Sequence, residues 1–211
     1  MGTYAAVVLA GGAARRMGGV DKPALAVGGR PMRDRVLAAV ADAEPRILVG
    51  WADPVPPEVR VTREEPPGGG PVAAAAAGLA LLDAGTTTVA LLAADLPLLT
   101  RDAVGVLRRA LDEPVGDDAR FADDARSVDG ACFVDDDGRR QSLCGVWRVS
   151  PLRAAVDRLA AKRGGTLAGA SVRALLDGLT VREVAWAGEG PPPWFDCDTD
   201  QDVHRAEEWA R

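Results

Sequence analysis

Short apolar runs alternate with longer amphipathic ones along this chain, and that alternation predicts most of its elements. Tyr4 to Ala10 is a continuous apolar run stopped by Gly11-Gly12, the pattern of a strand buried on both faces. Pro31 opens a helical stretch to about Ala43, and Pro45 closes it. Arg46 to Val49 and Val59 to Thr62 read as two more strands, separated by the proline-containing turn Asp53 to Pro57. A proline- and glycine-rich loop, 66–71, leads into an alanine-rich helix from Val72 to about Ala84. Thr88 to Ala94 is the fourth strand, ending in Asp95-Leu96-Pro97, and Thr100 then caps a helix to about Leu111. Strand and helix keep alternating, which predicts a parallel sheet wrapped by helices.

The pattern then changes. Asp112 to Asp129 is acidic and weakly periodic, an irregular excursion. Gly130 to Val134 and Gln141 to Arg148 form a β pair around the turn Asp135-Asp136-Asp137-Gly138. That turn lacks the remaining ligand spacing of an EF-hand loop. Helices are expected over Pro151–Lys162, Ser171–Leu176 and Asp200–Ala210, with a strand at Val181–Trp186. No internal repeat or long linker divides the chain, so residues 1–211 are read as one domain.

Composition narrows the chemistry. No apolar run reaches the roughly 18–20 residues of a membrane span, and the N-terminal run lacks signal-peptide order. The expectation is a cytoplasmic protein without a membrane partner. The three cysteines are widely spaced and form no CxxC, against a disulfide framework or structural zinc. His204 is the only histidine, which excludes multi-histidine metal sites and weakens any Ser-His-Asp proposal. Carboxylates, Lys, Arg and backbone amides must therefore carry the chemistry. The net charge of −6 argues against general nucleic-acid binding, but it splits into +3 over residues 1–63 and −9 over the rest. The basic end suits a small polyanion. Of 25 Lys+Arg only two are lysine, Lys22 and Lys162, so a lysine beside the first glycine-rich loop invites a chemical reading.

Three segments carry that reading. Leu9-Ala10-Gly11-Gly12, directly after a buried strand, lets backbone N–H groups approach a phosphate, and Arg16 and Lys22 supply a planar fork and a mobile point charge. The loop is neither a Walker A sequence nor a dinucleotide fingerprint; its alternative is a glycine-rich surface turn with solvated cations. Asp95, at the carboxyl end of an expected central strand, suits Mg²⁺ bridging phosphate oxygens. Asp196 and Asp198 flank Cys197, so an extended segment projects both carboxylates to one face, where either could complete a metal site with Asp95. Thr199 or Asp200 is left to cap the last helix.

Taken together these residues resemble the MobA-type molybdenum cofactor guanylyltransferases, particularly an actinobacterial branch. The resemblance runs through Leu9–Gly12 with Arg16 to Lys22, Glu64 to Pro71, Asp95-Leu96-Pro97, Gln141 to Trp147 and Asp196 to Thr199. It implies an α/β three-layer sandwich: a mostly parallel, Rossmann-like nucleotidyltransferase sheet with a small β excursion. It also implies transfer of GMP from GTP to the phosphate of a molybdopterin-type cofactor, with release of pyrophosphate. In that reading Leu9, Ala10, Gly11 and Gly12 line the nucleotide, and Arg16 and Lys22 hold phosphates. Asp95 binds Mg²⁺ with Asp198 as partner, and Glu65 falls near the family's acidic nucleotide contact. Other cofactor-biosynthesis proteins or acceptor enzymes are the protein contacts it allows. Two positions depart from the pattern: Glu65 stands where aspartate is usual, and Asp196-Cys197-Asp198-Thr199 replaces Asn-x-Asn-Thr. Acidic forms of that last motif occur in related cytidylyltransferases. The alternatives are accordingly a transferase using CTP or another acceptor such as 2-phospholactate, and a non-catalytic nucleotide- or pterin-binding module.

Overall fold

A computed structural model describes residues 3–11, 22–50, 54–114 and 127–210. Gly12 and Arg16 of the glycine-rich segment lie outside these residues, as do Asp53 and most of the acidic excursion. The strands are β1 (Ala5–Leu9), β2 (Ala26–Val27), β3 (Arg30–Pro31), β4 (Arg46–Val49), β5 (Val59–Thr62), β6 (Thr88–Ala93), β7 (Gly130–Val134), β8 (Arg140–Arg148) and β9 (Val181–Ala185). The helices are α1 (Met32–Ala39), α2 (Pro71–Ala80), α3 (Arg101–Asp112), α4 (Val149–Lys162), α5 (Val172–Leu176) and α6 (Asp200–Trp209).

Seven strands form one sheet in the order β5-β4-β1-β6-β8-β7-β9. The pairs β5–β4, β4–β1 and β1–β6 are parallel, and β8 alone runs against its neighbours β6 and β7. The expected β pair is therefore part of the main sheet, and its reversed strand puts the start of β8 at the edge where β1 and β6 end. Strand order reverses between β1 and β6, the kind of crevice in which open α/β sheets bind ligands.

Alternation along the strands builds two apolar layers. Ala6, Val8, Ala90 and Leu92 face α1 and α3, whereas Ala5, Val7, Val89 and Leu91 face α2, α4 and α5. The result is the expected three-layer α/β sandwich. A third, smaller cluster lies apart: Val27, Met32, Leu98, Cys197 and Ala206 join the β2–β3 ribbon and the start of α1 to α6. The ribbon is too short to announce itself by alternation.

Two helices stop sooner than their composition predicts, and tertiary hydrogen bonds explain both. After α1 the chain is drawn onto the sheet, Glu44 N donating to Tyr4 O at 2.8 Å and Ala6 N to Pro45 O at 3.0 Å. At the end of α2, Arg153 donates to Leu79 O at 2.8 Å and Arg60 to Leu81 O at 2.9 Å. Terminal helix carbonyls normally lack partners, so these arginines satisfy them and close the helix at Ala80. No helix among the described residues is long and apolar enough to cross a membrane.

Gly78 sets how closely α2 sits on the sheet. A Cβ there would press on Val7 Cγ1 and lie 3.0 Å from Val49 Cγ2. Gly78→Ala gains helix propensity, about 1 kcal/mol, but overpacks the layer. We expect net destabilisation of about 1–3 kcal/mol, read as a lower urea midpoint. An unchanged or higher midpoint would mean that α2 shifts freely.

Candidate active site

Two polar segments, distant in sequence, meet at the edge of the sheet where β1 and β6 end. Ala10 N donates to Val49 O at 2.8 Å and Ala94 N to Leu9 O at 3.0 Å, which locks the ends of β4, β1 and β6 together. Gly50 makes this possible: its φ is +137°, and a Cβ would lie 2.7 Å from the Ala10 carbonyl carbon. Just past β6, Asp95 accepts at its backbone oxygen from Cys197 N at 3.3 Å. Cys197 is fully buried in the small third cluster, and burial pushes its thiol up to about 12. With Cys197 anchored inward, its neighbours Asp196 and Asp198 face the cleft, as the alternation predicts.

Lys22 ties the two segments together. Its Nζ donates to Asp95 Oδ2 at 2.6 Å and to Asp198 Oδ1 at 2.7 Å. Burial opposes the lysine's charge, but the hydrogen bonds it donates to Asp198 and Asp95 more than offset it, so its pKa is raised and the ammonium is secured. Asp196 responds the other way. Desolvation by the surrounding wall, then the charges of Asp198 and Asp95, push its carboxyl up. The three side chains differ in access: Lys22 is 15% exposed, Asp95 23% and Asp198 74%. Asp198 therefore stands at the open side of the cluster.

The last helix holds this arrangement by a cap that does not involve Asp198. Thr199 is the N-cap of α6, its hydroxyl accepting from Asp202 N while the Asp202 carboxylate accepts from Thr199 N at 2.8 Å. The capping residue is thus Thr199, not Asp200, and the box is closed by Asp202 rather than Asp198. Asp198→Ala is accordingly expected to change thermal stability by less than about 0.5 kcal/mol. It should also raise the Mg²⁺ concentration for half-maximal turnover several-fold, on the order of 1 kcal/mol of lost binding. A stability loss with unchanged metal dependence would return Asp198 to a structural role.

The cluster lies in a cleft of about 850 Å³ lined by Leu9, Ala10 and Gly11 on the β1 side and by 140–144 on the β8 side. Pro71, at the first turn of α2, also reaches the lining, so the positive end of that helix lies toward the same space. Glu65 is exposed and is not part of the lining. Its neighbour Glu64 is buried instead, with Oε1 accepting from Gly68 N at 3.0 Å and lying 3.6 Å from where a Gly11 Cβ would stand. Two adjacent glutamates after a strand look alike in sequence; only the turn through Pro66 to Gly70 decides which one points inward.

Asp95 and Asp198 offer hard oxygen donors within reach of a single ammonium, and Mg²⁺ is commonly held by one or two carboxylates plus substrate phosphates. The donor set fits that ion. No group of three or more His, Cys, Asp or Glu arranged to hold a metal occurs among the described residues, so a cation here would draw its remaining ligands from substrate and water.

Residues 6–180 match the model of the MobA-like NTP transferase domain. Among solved structures the chain is similar to molybdopterin-guanine dinucleotide biosynthesis protein A from Archaeoglobus fulgidus, with a TM-score of 0.68, 18% identity and 97% of each chain covered. It is similar to Rv0371c from Mycobacterium tuberculosis H37Rv, with a TM-score of 0.67, 21% identity and 98% of each chain covered. A third likeness is to 2-C-methyl-D-erythritol 4-phosphate cytidylyltransferase from Francisella tularensis, with a TM-score of 0.72 and 13% identity over 99% of this chain and 100% of that one. No curated protein matches. At these identities the neighbours establish the fold.

Proposed function

The chain belongs to the MobA-like NTP transferase family, and from that premise we propose that it is a cytoplasmic, Mg²⁺-dependent guanylyltransferase moving GMP from GTP to the phosphate of a molybdopterin-type cofactor. One observation carries the reading: Asp95 and Asp198 share Lys22 at the point where strand order reverses, beside Leu9–Gly11. Carboxylates for a metal and a mobile cation for phosphates stand together where a nucleotide would lie. Arg16, from the same loop by sequence, is the second phosphate-binding cation of this proposal.

In the reaction an oxygen of the acceptor's phosphate attacks the α-phosphorus of GTP. A P–O bond forms as the bond to the oxygen bridging α- and β-phosphates breaks, and pyrophosphate leaves with the electron pair. Phosphate monoesters are largely dianionic at neutral pH, so no general base is needed and the lone histidine is no obstacle. The difficulty is bringing anions together. Bound Mg²⁺ supplies charge neutralisation at the phosphates. Lys22 donates hydrogen bonds to phosphate oxygens as charge moves onto the leaving group, and Leu9–Gly11 orient the nucleotide against Asp95.

The acidic Asp196-Cys197-Asp198-Thr199 motif and the likeness to cytidylyltransferase structures favour, as second reading, a related enzyme using CTP. Pyrophosphate release measured with each of the four NTPs, with and without molybdopterin, tests both. Release with GTP that requires molybdopterin and Mg²⁺ is the expected result. Preference for CTP supports the second reading, and transfer only to another acceptor such as 2-phospholactate overturns the molybdopterin assignment. Nucleotide binding without any release under these conditions would make the protein a binding module.

A further inference from the structure

The opposite wall of the cleft is built from an irregular piece of β8. Cys132 pairs with Gly145 and Val134 with Arg140, so β7 advances two residues while β8 advances five. Arg140, Gln141, Ser142, Leu143 and Cys144 line the cleft, while Leu143 and Cys144 keep the alternation of a strand, Leu143 packing on the α2, α4 and α5 layer and Cys144 on the α1 and α3 layer. Bulges are common beside active sites, and here the irregular start of β8 forms part of the cleft wall.

This wall is braced. Asp135 accepts from Asp137 N at 3.1 Å and Arg139 N at 2.8 Å through one carboxylate oxygen, and from Gln141 Nε2 at 2.9 Å through the other. Arg140 Nε donates to Glu183 Oε1 at 2.8 Å, and Glu183 belongs to β9, outside the cleft lining. Among the described residues the two terminal nitrogens of Arg140 have no hydrogen-bond partner. The guanidinium is anchored at one end and open at the other.

Charge and sheet order say what it is for. The described charged residues lining the cleft are Lys22, Arg140, Asp95, Asp196 and Asp198. Lys22 donates to two of the three carboxylates, and Arg140 is the lining cation that β8 contributes. In the sheet β6 lies between β1 and β8, which sets Asp95 between the glycine-rich loop and Arg140, the two walls being about two strand spacings, roughly 10 Å, apart. We infer that Arg140, at the cleft wall and held by Glu183, binds the phosphate of the acceptor on the side of Asp95 opposite the nucleotide. This inference rests on the proposed transferase activity and extends it by locating the second substrate.

The test separates the two substrates in the full-length protein. Arg140→Gln is expected to raise the KM for molybdopterin by about 10-fold or more, the scale of one charge-assisted hydrogen-bonding partner. The Kd of Mg-GTP, from equilibrium titration, should stay within about twofold. Arg140→Lys, which keeps the charge but not the fork, should recover part of the acceptor affinity. An unchanged acceptor KM in Arg140→Gln, or an equal loss for both substrates, overturns the assignment. If wild type turns over another phosphorylated acceptor and not molybdopterin, the proposed acceptor fails. The same variants measured with 2-phospholactate or 2-C-methyl-D-erythritol 4-phosphate then decide the role of Arg140 independently.

Discussion

Exchanging Asp95 for asparagine is expected to lower kcat by about 10²-fold or more in a protein whose unfolding free energy stays within about 1 kcal/mol of wild type. The two effects separate because the residue's two ends do different work. Its backbone oxygen accepts from Cys197 N and so holds the segment carrying Asp198, whereas its carboxylate faces the cleft. Asparagine preserves the first and removes the charge from the second. Mg²⁺-dependent pyrophosphate release and urea unfolding, measured side by side, check both halves. Near-wild-type turnover in a folded variant removes Asp95 from the metal site; a collapsed unfolding transition would make its role structural.

The second large effect is expected at Lys22. Lys22→Met should lose about 10²-fold in turnover, the scale of removing a principal charge stabiliser. Lys22→Arg should still lose about 10-fold, a little over 1 kcal/mol of transition-state stabilisation. The structure supplies the reason for the arginine result. Nζ sits 2.6 Å from Asp95 and 2.7 Å from Asp198, a spacing that suits a compact ammonium between two carboxylates. A guanidinium is wider and planar, so it cannot occupy that point and then turn to phosphates with the same geometry. Lys162, exposed in the last turn of α4, is the control; Lys162→Arg should be silent. Equal, wild-type-like kinetics for both arginine variants would reduce Lys22 to a generic charge.

Much of the framework was legible from periodicity alone. Tyr4–Ala10, Arg46–Val49, Val59–Thr62 and Thr88–Ala94 contain β1, β4, β5 and β6; β1 is an unbroken apolar run because it is buried on both faces, whereas β5 at the sheet edge alternates with arginine and is partly exposed. Asp95 followed from its position at the end of an apolar run. The Asp196–Asp198 pair followed from alternation around a buried cysteine. What escaped depended on partners far away in sequence. The α2 terminus is decided by Arg60 and Arg153, and nothing within the alanine run foretells them. The inward turn of Glu64 depends on loop geometry, and the β8 bulge on pairing with β7, since a register shift leaves no mark in one strand's own pattern. Asp135, in the turn that superficially resembles a calcium loop, proved to be the brace of that hairpin.

Lys22 and Asp198 stand 176 residues apart, and that separation has a consequence during synthesis. The strands β5, β4, β1 and β6 are all made by residue 93, so the half of the sheet that bears the glycine-rich loop can form early, as N-terminal segments do on the ribosome. Asp198 and the helix that secures it emerge more than a hundred residues later. Until then the nascent chain carries Asp95 and Lys22 without the carboxylate that completes their cluster. Ligand-linked stabilisation, which requires a binding-competent native state, is correspondingly withheld. On the proposed function, nucleotide stabilises the growing polypeptide only once the final segment docks.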